Sequence, residues 1–345
     1  MVLVFYMYLV YNILYTKKYK NTKFSSKIQP ELRGRSMIKH LGLKAYGKVN
    51  LGLDVVRRRK DGYHEVRMIM QTVGIYDRID LMRREQPGIG IETNLYYLPD
   101  NENNLAYKAA RLLMDEFDIK EGVNIRIKKF IPVAAGMAGG SSDAAAVLFG
   151  VNKMFSLGLS MEELMKRGVR LGADVPYCLM RGTALSEGIG EILTPLDPVP
   201  QCQVLIAKPS VSVSTKFVYE NLHVNQLPKT AHPDIDRLMR AIEDRDLRGL
   251  AENMGNILET VTIPAHPVIQ DIKDKMMAMG AVGAMMSGSG PTVFGLFMSP
   301  ARAEEAYEEM RYGSAASMAR QVYLTRFYNR NKDADIRQGN ERNGK

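Results

Sequence analysis

The alternation of apolar and polar residues predicts extended structure in the first third of the chain. Leu43 to Val56 alternates and is rich in branched residues, which favours a strand. Asp61 and Gly62 then form a dipeptide that is typical of hairpin turns. The same alternation returns at Glu65 to Val73 and at Ile79 to Arg83, where it predicts two further strands.

Helical periodicity begins near residue 105. Leu105, Ala109, Leu112 and Leu113 fall on one face of a helix. Later segments alternate between helical periodicity and strand-like alternation. Helices are predicted at Met161–Leu171, Ile235–Glu243, Leu247–Asn256, Pro267–Met279 and Ala301–Arg311, and strands at Asn124–Phe130, Gln203–Ala207, Thr292–Phe297 and Gln321–Phe327. Strands that alternate with helices, some of the strands antiparallel, predict an α+β fold.

The length of the chain, 345 residues, exceeds what one small core needs and predicts two domains. The proline-rich segment 197–200 has the composition of a linker. We therefore expect one domain over residues 37–197, a second over residues 198–328, and a basic tail over residues 329–345.

Residues 1–36 differ from the rest of the chain. The segment from Val2 to Tyr15 is apolar and aromatic, yet it is shorter than the roughly 20 residues that a membrane-spanning helix needs. It also lacks the basic start and the small-residue cleavage site of a secretory signal. We expect an N-terminal extension that is disordered or absent from the native protein, with a membrane tether as the alternative.

The net charge of +9 is compatible with nucleic acid, an anionic membrane or a phosphorylated metabolite as partner. Nucleic-acid binding is disfavoured because no zinc-finger spacing, RNA-binding aromatic motif or zipper accompanies the charge. Cys178 and Cys202 are too few for a zinc site or a disulfide framework. We expect reduced thiols, a cytoplasmic location and no stable membrane association, and the sequence leaves open whether the chain forms a homodimer.

Residues 132–143, PVAAGMAGGSSD, interrupt the pattern between a predicted strand and an alanine-rich helix. Gly136, Gly139 and Gly140 let backbone approach a ligand, and the helix that follows begins with unpaired N–H groups. This combination favours a polyphosphate, although it is not a Walker A loop. The alternative is a flexible turn in which Ser142 caps the helix.

Three segments resemble the GHMP superfamily of galactokinase, homoserine kinase, mevalonate kinase and phosphomevalonate kinase. PVAAGMAGGSSDAAA resembles its phosphate loop, and MSGSGPTVFGLF resembles its third motif. AYGKVNLGLDV, KDGYHE and LGADVPY resemble the branch that phosphorylates a cytidine diphosphate-linked methylerythritol. The resemblance covers residues 37–328 and implies a ribosomal protein S5 domain 2-like N-terminal domain and a ferredoxin-like C-terminal domain.

The resemblance also implies roles for individual residues. Lys48 and Asp174 are expected to be catalytic, the carboxylate accepting the hydroxyl proton and the ammonium stabilising the alkoxide. A buried structural ion pair is the alternative for these two. The expected ATP-binding residues form one loop, Pro132, Val133, Ala134, Ala135, Gly136, Met137, Ala138, Gly139, Gly140, Ser141 and Ser142.

The expected acceptor-binding residues are Asn50, Tyr63, His64, Thr215 and Tyr219. By resemblance, Tyr63 and Tyr219 enclose the cytosine and His64 bonds its edge. Packing or solvent-exposed roles are the alternatives for these side chains. The loop departs from the family at Asp143, which we expect on the first turn of the helix, where its charge favours the helix dipole.

The implied reaction is ATP-dependent phosphorylation of the acceptor's 2-hydroxyl, giving the 2-phosphate and ADP, in the methylerythritol phosphate pathway of isoprenoid biosynthesis. Mg²⁺ is expected with ATP. The hydroxyls of Ser141 or Ser142 could bind it, but the sequence offers no carboxylate cage and we assign no metal ligands. Another small-molecule kinase of the superfamily, or a nucleotide-binding sensor without turnover, remains the alternative.

Overall fold

The computed structural model describes residues 38–329. The predicted N-terminal extension lies outside this range, as does the predicted basic tail apart from its first residue. Within the described residues, no helix combines the length and apolarity that crossing a membrane requires.

A seven-stranded mixed sheet forms the first layer. Its strands are β1 (His40–Arg58), β2 (His64–Arg84), β3 (Gly88–Thr93), β4 (Gly122–Lys128), β5 (Thr183–Glu187), β6 (Ile192–Pro195) and β8 (Gly255–Asn256). The order is β3-β4-β2-β1-β8, and β5 pairs with both β2 and β6.

The hairpin of β1 and β2 is the longest pairing in this sheet, and its turn contains the predicted Asp61 and Gly62. The two strands predicted between residues 65 and 83 are one continuous strand, so the predicted break was wrong. Ile75 and Asp77, which lie between the two predicted strands, are both buried, which keeps the intervening segment inside the sheet.

A second, four-stranded antiparallel sheet has the order β11-β7-β10-β9. Its strands are β7 (Gln203–Lys208), β9 (Gly283–Met286), β10 (Val293–Phe297) and β11 (Gln321–Arg326). The predicted linker at 197–200 lies in the irregular segment between β6 and β7. The domain boundary at residue 198 stays a prediction, and β8 shows that the second half of the chain contributes to the first sheet.

Ten α-helices complete the described part of the chain. They are α1 (Leu105–Glu116), α2 (Gly139–Met154), α3 (Met161–Gly168), α4 (Val175–Met180), α5 (Thr215–Asn221), α6 (Ile235–Glu243), α7 (Leu247–Asn253), α8 (Glu259–Ala265), α9 (Val268–Ala278) and α10 (Pro300–Tyr312). The predicted helix at 247–256 ends at Asn253, because the chain leaves it to pair as β8 with β1.

Helix α2 packs closely on the first sheet, and this contact fixes the position of the loop before it. A β-carbon on Gly150 would lie 2.3 Å from Leu81 Cδ1 and 2.8 Å from Leu43 Cδ1. A glycine here therefore lets the helix approach β1 and β2. Val147 and Leu148 are fully buried in the same apolar cluster as Leu81.

Candidate active site

The glycine-rich segment links β4 to α2 and has an irregular backbone. Ala134, Gly136 and Ala138 have φ values of 49°, 72° and 55°, in the left-handed region that L side chains rarely adopt. Ala138 is the residue before the first turn of α2, and no side chain caps the helix there. The first N–H groups of α2 therefore lack a side-chain acceptor, which is the arrangement that binds phosphate.

Gly136 touches the third motif directly. A β-carbon on Gly136 would lie 1.9 Å from the carbonyl oxygen of Ser287, so only glycine fits. The Ser287 hydroxyl donates a 3.0 Å hydrogen bond to the Gly136 carbonyl. Asn256 supports this turn from the other side by donating to the carbonyls of Met286 and Gly288. The serine-glycine turn thus holds the middle of the loop.

Ser142 does not cap α2, contrary to the alternative for this loop, because it is the fourth residue of the helix. Its hydroxyl donates to the Tyr46 carbonyl at 2.6 Å and contacts Cys178 Sγ at 3.2 Å. Ser142 therefore ties α2 to β1 and α4. Ser141 is half-buried beside Gly172.

Lys48 and Asn50 share a buried face of β1. Lys48 is 5% exposed and Asn50 is fully buried. The Lys48 ammonium donates to Asn50 Oδ1 at 2.7 Å, and its backbone N–H donates to the Met137 carbonyl at 3.2 Å. Within the described residues, Lys48 forms no direct ion pair with Asp174. The Lys48 ammonium, which we expected to lie beside the Asp174 carboxylate, instead has the Asn50 amide oxygen as its immediate partner.

Asp174 precedes the first turn of α4, and its side chain makes no capping hydrogen bond. Burial, and next the negative charge of Asp174, raise the pKa of Cys178 to about 12, while the Lys48 charge opposes the rise. Lys48 and Asp174 thus both act on the Cys178 thiol. Burial and then the negative charge of Asp174 also raise the pKa of Tyr219.

Two of the three predicted cytidine-binding residues, His64 and Tyr219, meet at one end of the hairpin. The rings of His64 and Tyr219 are 5.1 Å apart at 39°. Tyr63 is half-buried at the end of the turn, where its N–H donates to Asp61 Oδ1 at 3.1 Å. Burial, followed by the Arg58 charge, lowers the pKa of His64, which favours a neutral imidazole near pH 7.

Thr215 opens the helix that carries Tyr219, and its hydroxyl lies 2.8 Å from the hydroxyl of Ser289. The third motif therefore contacts both the phosphate loop and the expected acceptor helix. Lys208 is buried, and its ammonium donates to the carbonyls of Pro209 and Val211 at 3.3 Å.

Asp143 is the fifth residue of α2 and not part of its first turn, so the expectation of a dipole interaction was wrong. It is buried and pairs with Lys129, which also binds Asp77. Burial raises the pKa of Asp143 well above its usual range, although the Lys129 charge opposes the rise. Sequence reasoning missed Asp77 and Lys129, and charges within apolar segments beside the loop were the available signal.

Comparisons with known proteins agree with this geometry. The model of the GHMP kinase N-terminal domain matches residues 104–182, and the C-terminal model matches residues 238–315. The 4-diphosphocytidyl-2-C-methyl-D-erythritol kinase of Lachnoclostridium phytofermentans is 56% identical over 288 residues, which are 84% of this chain and 97% of that protein. The chain belongs to the 4-diphosphocytidyl-2-C-methyl-D-erythritol kinase family. The predicted superfamily is thereby confirmed.

Other members of this kinase family show similar agreement. The Clostridium perfringens (strain ATCC 13124) protein of the same name is 50% identical over 289 residues, covering 84% of this chain and 99% of that protein. A crystal structure of a 4-(cytidine 5'-diphospho)-2C-methyl-D-erythritol kinase superposes with a TM-score of 0.72 at 30% identity, covering 84% of this chain and all of that one.

The two-domain α+β GHMP kinase fold is also confirmed. Homoserine kinase from Cytophaga hutchinsonii shares the fold, with a TM-score of 0.69 at 21% identity. The superposition covers 84% of this chain and 96% of the homoserine kinase. Family membership makes this chain an ATP-dependent small-molecule kinase.

A metal site made by protein groups alone is absent from the described residues, in which no three His, Cys, Asp or Glu side chains cluster suitably. Mg²⁺ that arrives with nucleotide phosphates needs only one or two protein ligands. Ser141 is the loop hydroxyl that remains for this role, because its Oγ lies near Gly172, two residues before Asp174, whereas the Ser142 hydroxyl donates to the Tyr46 carbonyl.

Proposed function

We propose that this kinase transfers the γ-phosphoryl group of ATP to the 2-hydroxyl of 4-diphosphocytidyl-2-C-methyl-D-erythritol. One set of contacts carries the proposal. Asp174 directly precedes α4, whose Cys178 Sγ contacts the Ser142 hydroxyl at 3.2 Å, and the third motif joins the same loop to the helix of Tyr219 through Ser287 and Ser289. These contacts connect the start of α2, the residue expected to be the base and the ring pair of His64 and Tyr219.

The loop from Pro132 to Ser142 binds the triphosphate of ATP. Its backbone N–H groups and the start of α2 place positive partial charge where the β- and γ-phosphates would lie. Magnesium, when bound, neutralises phosphate charge, and Ser141 is the residue that would hold it. Gly136, with a φ of 72°, lets the loop turn sharply before the helix start.

Asp174 accepts the proton of the attacking hydroxyl, and Lys48 stabilises the negative charge that develops on that oxygen. Asn50 holds the Lys48 ammonium in place through the 2.7 Å hydrogen bond. Phosphoryl transfer depends mainly on positioning and charge neutralisation, so a base, a fixed cation and a bound nucleotide are sufficient parts.

His64, Tyr219 and Tyr63 give selectivity for a cytidine nucleotide. An aromatic face stacks on the base, and a neutral imidazole offers one donor and one acceptor to its edge. Thr215 stands at the N-terminal end of the Tyr219 helix, near Ser289, where it can meet the acceptor's phosphates. Homoserine and mevalonate have no base for these rings to bind.

A coupled ADP-release assay tests the proposal. With ATP, magnesium and CDP-methylerythritol, we expect turnover that depends on the acceptor and gives its 2-phosphate by ³¹P NMR. Turnover only with homoserine or mevalonate would reassign the substrate. Nucleotide binding without turnover of any of the three would support a sensor and contradict the proposed reaction.

A further inference from the structure

Three buried charged side chains lie beside the phosphate loop. The Lys129 ammonium donates to Asp143 Oδ2 at 2.6 Å and to Asp77 Oδ2 at shorter range. The exposed fractions of the Lys129, Asp77 and Asp143 side chains are 5%, 0% and 6%. We call these three residues the lysine cluster.

The lysine cluster holds both ends of the loop. Asp77 belongs to β2, and its Oδ1 accepts the backbone N–H groups of Phe130 at 2.6 Å and Ile131 at 2.9 Å, just before the loop. Asp143 belongs to α2, just after the loop. Lys129 joins the two carboxylates, so one ammonium links the sheet, the segment before the loop and the helix after it.

Lys129 also abuts the first residue of the helix. A β-carbon on Gly139 would lie 3.2 Å from Lys129 Nζ. The ammonium is therefore next to the helix start, whose N–H groups bind phosphate in the proposed function. A movement of this side chain would move the backbone that meets the nucleotide.

Stability alone is a poor explanation for such a cluster. Buried ion pairs often contribute no more than apolar groups of the same volume, because desolvation offsets their attraction. Asp143 Oδ1 is moreover buried without a hydrogen-bond partner, which adds a cost. The cluster does provide directional bonds, and these fix backbone position more narrowly than apolar packing.

We propose that Lys129 is a positioning residue that sets the distance between the start of α2 and the strand before the loop, and thereby the affinity for ATP. The inference rests on the proposed nucleotide role of this loop. It assigns Lys129 no contact with the acceptor. Loss of the cluster consequently weakens nucleotide binding and leaves acceptor binding unchanged.

Two variants and one control test this role in the full-length enzyme. Lys129→Met removes the ammonium, and the triple variant Lys129→Met/Asp77→Asn/Asp143→Asn removes all three charges at nearly constant volume, which avoids two unpaired buried carboxylates. Lys275→Met is the control, because Lys275 pairs with Glu309 at 3.0 Å between α9 and α10. ATP affinity is measured by calorimetry, and both KM values by ADP release.

We expect the KM and Kd for ATP to rise about tenfold in both variants, because a small displacement of the helix start misplaces the nucleotide. The acceptor KM should stay within about twofold of the wild-type value. Lys129→Arg, which keeps the charge, should recover most of the ATP affinity. Lys275→Met should change neither KM. If Lys129→Met does not fold, the triple variant decides the question.

A folded triple variant with wild-type ATP affinity would overturn the inference, as would an equal loss of ATP and acceptor affinity. Failure of both variants to fold, when Lys275→Met folds, would also overturn it, since the cluster would then serve folding. A wild-type enzyme that binds no ATP would instead refute the proposed function. The two failures are therefore distinguishable.

Discussion

The Lys48 ammonium and Asn50 Oδ1 are 2.7 Å apart on one face of β1, and both side chains are buried. Residues two apart on a strand point to the same side, so the sequence alone permits this contact. The contact gives Lys48 a neutral partner within the sheet. Its positive charge consequently remains available to a developing anion.

Replacement of this partner should lower both the turnover and the stability of the enzyme. We expect Asn50→Ala to lower kcat by about ten- to a hundredfold, because the unpartnered ammonium changes position. Stability should fall by about 1–3 kcal/mol, since a buried donor loses its acceptor. Steady-state kinetics and denaturant titration measure the two effects.

Asn152→Ala is the matched control for this change. Asn152 is also buried, and its side-chain amide bonds the Leu159 backbone at the end of α2 opposite to the glycine-rich loop. We expect a similar loss of stability with kcat unchanged. Equal kcat values for the two variants would remove Asn50 from the proposed site.

Asp174→Asn should abolish most turnover without unfolding the protein. The carboxylate is half-buried and makes no capping bond, so the neutral amide costs little in stability, within about 1 kcal/mol. Loss of the proton acceptor should lower kcat by about two to four orders of magnitude. Near-normal kcat in a folded variant would exclude Asp174 as the base.

Gly136→Ala should disrupt the phosphate loop. The new β-carbon would meet the Ser287 carbonyl at 1.9 Å in a backbone with φ of 72°. We expect a large rise in the KM for ATP and a lower melting temperature. Gly158→Ala is the control for backbone strain without a clash. Gly158 has a φ of 74°, but a β-carbon added there would have no atom within 4 Å. If both variants bind ATP equally, the contact with Ser287 has no role.

Tyr219→Leu should weaken binding of the acceptor alone. The ring pairs with His64 at 5.1 Å, and loss of a stacking surface should raise the acceptor KM about tenfold with the KM for ATP unchanged. Phe217→Leu is the control on the same helix, where Phe217 is 47% exposed. A matching effect of both changes would point to the helix and not to the ring.

The acceptor KM should depend on pH through His64. Burial lowers the pKa of His64 from 6.5, so the neutral form persists below the pH at which an ordinary histidine gains a proton. Protonation removes the acceptor nitrogen. We expect a constant KM from about pH 8 to about pH 6.5 and a rise at lower pH, which His64→Gln should abolish. A profile unchanged by that substitution would assign the effect to another group.

Local patterns determined much of the fold. Helix α6 begins and ends at the predicted Ile235 and Glu243, because its apolar periodicity and its Asp234 cap coincide with the element. The glycine-rich loop was recognisable because glycine, serine and an alanine-rich helix occur together in a short segment. Short elements such as β3, β6 and α8 were missed, since their stability comes from pairing and packing with distant segments.

The sequence by itself determined most of the longer elements, the presence of a glycine-rich loop before α2, and the family. Only the tertiary structure decided that Lys48 pairs with Asn50, that His64 meets Tyr219, and that Lys129 joins Asp77 to Asp143. The physical reason is the distance along the chain over which each effect acts. Backbone preference and periodicity act within a few residues, whereas the partner of a buried charge depends on which distant side chains share its low-dielectric surroundings.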